Sequence, residues 1–174
     1  MTERHDDHDP GEGRRIVVGV GNRDRGDDAV GPMVCDELTV RLGSDRWAFG
    51  PLELWVVEGD PSTLAVRWRP DDRVVVVDAV VTGAAPGTIH VVDADGLGVG
   101  RPVSTHGIGV AETIALSTAL GTRPLLTVVG VEAASFDHGA PATPSVAAAI
   151  ASVTDLVVDL LSGALDTDPA AGSD

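Results

Sequence analysis

The sequence lacks lysine and tyrosine, and it has one cysteine and only 3% aromatic residues in 174 positions. Without lysine the chain cannot supply a P-loop lysine, a Schiff base or a Ser–Lys dyad. Because aromatic side chains are scarce, the core has to be built from Val, Leu, Ile and Ala. Cys35 cannot form an intrachain disulfide, which favours a reducing compartment. It lies in an apolar stretch, so we interpret it as a small buried side chain and not as a nucleophile.

Positive charge is also scarce. Asp and Glu number 27 against 12 basic residues, all of them Arg, which gives a formal net charge of −15. Such a charge argues against binding to nucleic acid or to an anionic membrane surface. No apolar run approaches the roughly 20 residues of a membrane span. The run after Arg14 and Arg15 is too short for the core of a signal peptide, so we expect a cytoplasmic protein.

The chain is predicted to form one domain between two polar tails. Residues 1–13 are acidic and lack apolar periodicity, and residues 164–174 resemble them. Both segments are therefore expected to be disordered. The remaining residues 14–163 match the size of one domain with one core.

Short apolar runs alternate with longer periodic segments within this domain. The apolar runs predict strands and the 3.6-residue periodicity predicts helices, in a β-α-β-α-β order typical of a three-layer α/β/α sandwich. The predicted strands are Ile16–Val20, Leu52–Val57, Arg73–Val81, Ile89–Val92 and Leu125–Val131, and the predicted helices are Asp28–Leu42, Leu64–Trp68, Gly107–Leu120 and one from Thr143-Pro144 to Leu161. The connection TGAAPGT is too short for a crossover helix, so the fourth strand should run antiparallel to its predecessor.

Three polar clusters follow predicted strands, at the sheet edge where sites form in open α/β sheets. They are the loop GNRDRGDD with Asp27 and Asp28, then Asp78, and then STHG with His106. Asp27 or Asp28 could instead cap a helix, and His106 could be an exposed loop residue. Asp78 lies within VVVVDAVV, where an unpaired carboxylate is costly to bury. Two carboxylates and one imidazole suit a borderline divalent metal with open coordination positions.

Other catalytic patterns are missing. Gly19-Val20-Gly21 begins like a dinucleotide fingerprint, but position 24 is Asp instead of Gly. The acidic residues of the same loop would also repel a pyrophosphate. The chain contains neither GxSxG nor HExxH, so the nucleophile elbow of the α/β-hydrolases and a zincin-type protease are both disfavoured.

Three segments, IVVGVGNRDRGDDAVG, VVVVDAVVTGAAPGTI and STHGIGVAETIAL, occur in this order along the chain. Together they resemble the hydrogenase maturation proteases, the endopeptidases that trim the C-terminus of the [NiFe]-hydrogenase large subunit. The resemblance runs from about Ile16 to Leu161. It implies a mixed, mostly parallel sheet of about five strands and a metal-contacting triad of Asp28, Asp78 and His106. It also implies that nickel already inserted in the large-subunit precursor licenses the cleavage, and another divalent metal could occupy the isolated site.

The resemblance leaves two mechanisms open. The metal could act as a Lewis acid that activates a water molecule. It could also serve only for recognition, with Asp28 or Asp78 as the general base. A non-catalytic checkpoint protein for the same subunit, and a general metal-dependent peptidase, are the alternative functions.

The turn after the second strand departs from the family pattern. The family has Asp-Gly-Gly-Thr at this point, a turn thought to engage the large subunit. Here Glu58-Gly59-Asp60 is followed by Pro61, which stiffens the turn. We expect these residues to bind substrate with altered specificity, although a plain loop is the simpler interpretation.

Overall fold

The computed structural model describes residues 13–43, 52–93 and 109–163. Within these ranges the strands are β1 (Arg15–Val20), β2 (Leu52–Val57), β3 (Arg73–Val80), β4 (Ile89–Asp93) and β5 (Leu125–Glu132). The α-helices are α1 (Val30–Leu42), α2 (Val110–Leu120) and α3 (Pro144–Leu161), and 3₁₀ helices cover Gly26–Ala29 and Pro61–Val66. The predicted tails fall almost entirely outside the described residues, so the domain boundaries stay predictions.

The five strands form one mixed sheet in the order β2-β1-β3-β5-β4. β1, β2, β3 and β5 run parallel to one another, whereas β4 runs antiparallel to β5. The predicted direction of β4 is therefore confirmed. Its neighbour is β5 and not β3, because the loop after β3 crosses the end of β5, where Glu132 N–H donates to the Thr88 carbonyl at 2.9 Å.

Side-chain alternation along the buried strands produces two apolar layers. Val17, Val75 and Val77 belong to the core shared with α1 and α3. On the opposite face, Val74 and Val76 pack in the core that contains residues of α2 and the 3₁₀ helix Pro61–Val66. Each fully buried Val contributes on the order of 1.5–3 kcal/mol relative to an exposed one. The predicted three-layer α/β/α sandwich is confirmed.

The predicted helix from Asp28 begins later in the structure. A 3₁₀ helix covers Gly26–Ala29, and the α-helical pattern starts only at Val30. Gly31 explains the tight entry, since a Cβ there would lie 2.4 Å from the Val20 carbonyl oxygen and 2.6 Å from that of Val77. This close approach holds the start of α1 directly against the carboxyl ends of β1 and β3.

Two further helix predictions change in detail. The segment predicted as a helix at Leu64–Trp68 is a 3₁₀ helix over Pro61–Val66, with Ser62 N–H donating to the Asp60 carboxylate at 2.8 Å. α2 begins at Val110, after the N-cap Gly109, whose N–H donates to Glu112 at 2.9 Å. This pairing fixes the first turn of α2, and the earlier part of that prediction lies outside the described residues.

A buried ion pair closes the opposite, amino-terminal end of the sheet. Asp72, which precedes β3, is fully buried and accepts two hydrogen bonds from Arg14, at 2.9 and 2.6 Å. The Arg69 N–H donates a third at 2.8 Å. Removing one partner of such a pair typically costs 3–5 kcal/mol of stability. Asp72 therefore has a structural role far from the candidate site.

α3 is the one helix in the described ranges that is long and apolar enough to cross a membrane by length and composition, with a mean hydropathy of 1.6 over 18 residues. One such helix is weak evidence, because core helices of soluble proteins have the same properties. Val146, Val153, Val157 and Leu161 of α3 are buried against the sheet. We therefore interpret α3 as a core helix.

Candidate active site

Asp78 lies near the carboxyl end of β3, and only 1% of the residue is exposed. Its Oδ1 has no hydrogen-bond partner among the described residues. Burial and the charge of Asp28 raise the pKa of the Asp78 carboxyl to about 8, against the opposing effect of the Ala79 N–H. An unpartnered buried carboxyl oxygen is rare in proteins, which points to a ligand at this position.

Asp28 is the second buried carboxylate at this edge and lies in the 3₁₀ helix that follows β1. Its Oδ2 accepts a hydrogen bond from the Asn22 N–H at 3.0 Å. Gly21 has a φ of +130°, and a Cβ there would lie 1.9 Å from the Asp28 carbonyl oxygen. Only glycine allows this approach. Since the charge of Asp28 acts on Asp78, the structure brings these two predicted site residues together.

The third predicted ligand, His106, lies outside the described residues. Within 13–43, 52–93 and 109–163 there is no group of three His, Cys, Asp or Glu side chains that could hold a metal ion. By the alternation of β3, Asp78 falls on the face of Val74 and Val76, where α2 packs. The N-cap of α2, Gly109, comes only three residues after His106. The triad itself stays a prediction.

The two described carboxylates fit a divalent cation. Carboxylate oxygens are suitable ligands for such ions, and an imidazole would add selectivity for nickel, zinc or iron. A cation would also offset the charge of Asp28, which after burial is the second cause of the raised pKa of the Asp78 carboxyl. The unpartnered Oδ1 of Asp78 is available for coordination.

The turn Glu58-Gly59-Asp60 follows β2 on the same sheet edge. Glu58 and Asp60 are exposed, and Gly59 has a φ of +90°. The carbonyl of Val57, just before the turn, accepts a hydrogen bond from the Gly21 N–H at 3.0 Å. The turn therefore adjoins the loop that carries Asp28, while its role in substrate binding stays a prediction.

Sequence reasoning missed the buried carboxylate of Glu132 at the end of β5. It accepts hydrogen bonds from the N–H and hydroxyl of Thr82 and from the N–H of Gly83, at 2.7–2.8 Å. Burial opposes ionisation, but these bonds and the nearby His90 lower the pKa of Glu132. The signal used for Asp78, an acid that ends an apolar strand, was also present in VVGVE. Glu132 fixes the loop that leaves β3.

Cys35 is buried on α1, as predicted. Burial raises the pKa of its thiol to about 11, although a hydrogen bond from the Gly19 backbone acts in the opposite direction. The thiolate is therefore almost absent at neutral pH, and reactive cysteines need the thiolate. We expect Cys35→Ala to keep the full peptidase rate while lowering the melting temperature by a few degrees. A rate loss of more than tenfold at a temperature where the variant is folded would contradict this interpretation.

Comparisons with known proteins identify the family of the chain. A family model described as hydrogenase maturation protease matches residues 60–160. The hydrogenase expression/formation protein HupD of Bradyrhizobium diazoefficiens is 28% identical over 157 residues, which cover 86% of this chain and 79% of that protein. The hydrogenase 3 maturation protease of Escherichia coli K12 is 29% identical over 96 residues, covering 52% of this chain and 56% of the relative.

Solved structures show the same fold. The hydrogenase maturating endopeptidase HybD from E. coli superposes with a TM-score of 0.71 at 24% identity, covering 87% of this chain and 93% of that one. The [NiFe] hydrogenase maturation protease HycI from Thermococcus kodakarensis gives a TM-score of 0.69 at 23% identity, with coverages of 88% and 95%. At these identities the structures establish the fold alone.

Proposed function

Because the chain belongs to the hydrogenase maturation protease family and is a peptidase, we propose that it removes the C-terminal extension of a [NiFe]-hydrogenase large-subunit precursor after nickel has been inserted. We place this reaction in the cytoplasm, where a single reduced cysteine is normal. Nickel is part of the substrate in this proposal, and the peptidase contributes additional ligands.

The adjacent buried carboxylates of Asp28 and Asp78 carry the proposal. Like charges at a buried position repel each other, and a bound cation would offset that repulsion. The sequence offers His106 as a third ligand just before α2. Three protein ligands leave coordination positions open. A site that shares a metal ion with its substrate needs such open positions, since a saturated ion could not bind both proteins.

The chemistry of the two acids suits peptide hydrolysis. The substrate's nickel would supply either Lewis acidity or only a recognition contact. Asp78, with a pKa of about 8 in the free protein, lies in the range where a carboxyl group accepts or gives a proton efficiently near neutral pH. Asp28 is held in the loop by the Asn22 N–H, which donates to its Oδ2. We assign the general base to one of these two residues.

The Glu58-Gly59-Asp60 turn is proposed to contact the precursor. It is exposed and adjoins Gly21 through Val57, so a bound subunit could reach both the turn and the acids. Pro61 occupies the first position of the following 3₁₀ helix and is buried. The resulting stiff turn supports specificity for a particular large subunit.

The proposal is tested by incubating the purified protein with nickel-loaded and nickel-free forms of the same precursor. Mass spectrometry should show loss of the C-terminal extension only from the loaded form. Stable binding of the loaded precursor without mass loss would identify a non-catalytic checkpoint protein. Cleavage of unrelated peptides without nickel would identify a general peptidase.

A further inference from the structure

We propose that Asp27 is the positioning residue of this site: its buried carboxylate fixes the 3₁₀ helix that presents Asp28 and thereby sets the affinity of the site for nickel. This inference rests on the proposed function. It concerns a residue that does not itself contact the metal.

The carboxylate of Asp27 is fully buried and accepts four hydrogen bonds. Its Oδ1 accepts from the Thr143 N–H at 2.6 Å, and its Oδ2 accepts from the Thr143 hydroxyl at 3.1 Å. The N–H groups of Ala134 and Ser135 donate to Oδ2 at 2.8 and 3.1 Å. None of these bonds is donated by the first turn of its own helix. Asp27 therefore does not act as a helix cap, and it connects two distant segments.

Backbone contacts extend this connection along the loop. The Asp27 N–H donates to the Ser135 carbonyl at 2.9 Å, and the Gly26 N–H donates to the Ala140 carbonyl at 3.1 Å. Gly26 has a φ of +58°, and a Cβ there would lie 2.7 Å from the Ser135 carbonyl oxygen. The segment that carries Asp28 is thus held against the chain that leaves β5.

The N-terminus of α3 is also hydrogen-bonded to Asp27. Thr143 is the N-cap residue of α3, yet its side chain makes no capping bond within that helix. Its hydroxyl and its N–H both donate to Asp27 instead. A negative charge at a helix N-terminus is favourable, so the carboxylate has a matched environment that an amide would not reproduce.

Asp28 is covalently joined to this fixed residue. Its carboxylate is oriented within the loop by the Asn22 N–H. In metal sites, residues that hold a ligand in place typically change metal affinity 10- to 100-fold when they are mutated. Release of Asp27 should therefore loosen Asp28 and weaken metal binding without removing a ligand.

The test uses Asp27→Asn, which keeps the size of the side chain but turns an NH₂ group toward N–H donors. Thr143→Val, which removes only the hydroxyl donor, is a second, milder variant in case Asp27→Asn does not fold. Asp72→Asn is the matched control, because Asp72 is an equally buried, multiply bonded carboxylate at the opposite end of the sheet. Amide hydrogen exchange and calorimetric titration with Ni²⁺ are measured on all of them.

In Asp27→Asn the Asn22 amide should exchange at least tenfold faster relative to the Val76 amide of β3, and the Kd for Ni²⁺ should rise at least tenfold. Thr143→Val should show both changes in the same direction but smaller. In Asp72→Asn the exchange rate of the Asn22 amide and the Kd for Ni²⁺ should stay within twofold of the wild type, although the melting temperature falls and core amides such as that of Val76 exchange faster.

An unchanged Asn22-to-Val76 exchange ratio in Asp27→Asn and Thr143→Val would overturn the inference, as would faster exchange with unchanged Ni²⁺ affinity. If the wild-type protein binds no Ni²⁺ and does not process the loaded precursor, the proposed function fails. The exchange ratio still decides, in that case, whether Asp27 positions Asp28.

Discussion

Asp78→Asn should slow the processing of a nickel-loaded precursor by about 10³-fold, the middle of the range for loss of a general acid–base group. The variant keeps the shape of the side chain. The substitution removes the negative charge and replaces one carboxyl oxygen with an NH₂ group. In the described structure the Oδ1 of Asp78 has no hydrogen-bond partner. Either proposed role of Asp78, metal ligand or general base, requires that charge. The measurement is the single-turnover rate of mass loss from the precursor.

Asp72→Asn is the control for this experiment. Asp72 is also buried and lies just before β3, whereas Asp78 lies near the end of the same strand. Six residues of strand separate them by about 20 Å. The control should process the precursor at the wild-type rate at any temperature where it is folded. His106→Ala is expected to abolish processing, and full processing by either site variant would refute the assignment of the site.

Asp78 could be found from the sequence because two local signals coincide there. A continuous run of Val residues predicts a strand covered on both faces, and one acid within it has no simple structural explanation. β2 was predicted with the bounds that the structure shows, Leu52–Val57, because its apolar run ends at a clear turn. Signals contained within a few residues therefore predicted the strands and the buried acid of β3.

Asp27 could not be assigned from the sequence because its partners are remote. The groups that bind its carboxylate come from Ala134, Ser135 and Thr143, which are 107 to 116 residues further along the chain. A local pattern of two acids before a helix predicts capping, and the actual contacts appear only after the sheet has formed. The position of β5 between β3 and β4 is non-local in the same sense.

The second large expected effect is a pH dependence of stability, and it follows from the pKa of Asp78. Burial and Asp28 raise this pKa from an ordinary value of 3.8 to about 8. Between these two pH values the folded protein holds a proton that the unfolded chain has lost, so the free energy of unfolding falls as pH rises. At about 1.4 kcal/mol per pH unit, the loss from Asp78 alone reaches about 4 kcal/mol at pH 7 in the metal-free protein. The lowered pKa values of Asp27 and Glu132 act in the opposite direction.

The difference in unfolding free energy between Asp78→Asn and the wild type isolates this effect, because Asp27 and Glu132 are present in both proteins. Urea unfolding in a chelating buffer measures this difference. The unfolding free energy of the variant minus that of the wild type should rise by about 4 kcal/mol as the pH rises from 4 to 7. Cys35→Ala is the control, since its thiol, with a pKa of about 11, does not titrate in this range and its difference from the wild type should stay constant. A constant difference for Asp78→Asn as well would mean that Asp78 ionises normally. If the expected gain is observed, the same carboxylate is both a large pH-dependent cost to the fold and a group that the cleavage requires, which is the trade-off expected where a buried charge is kept for chemistry.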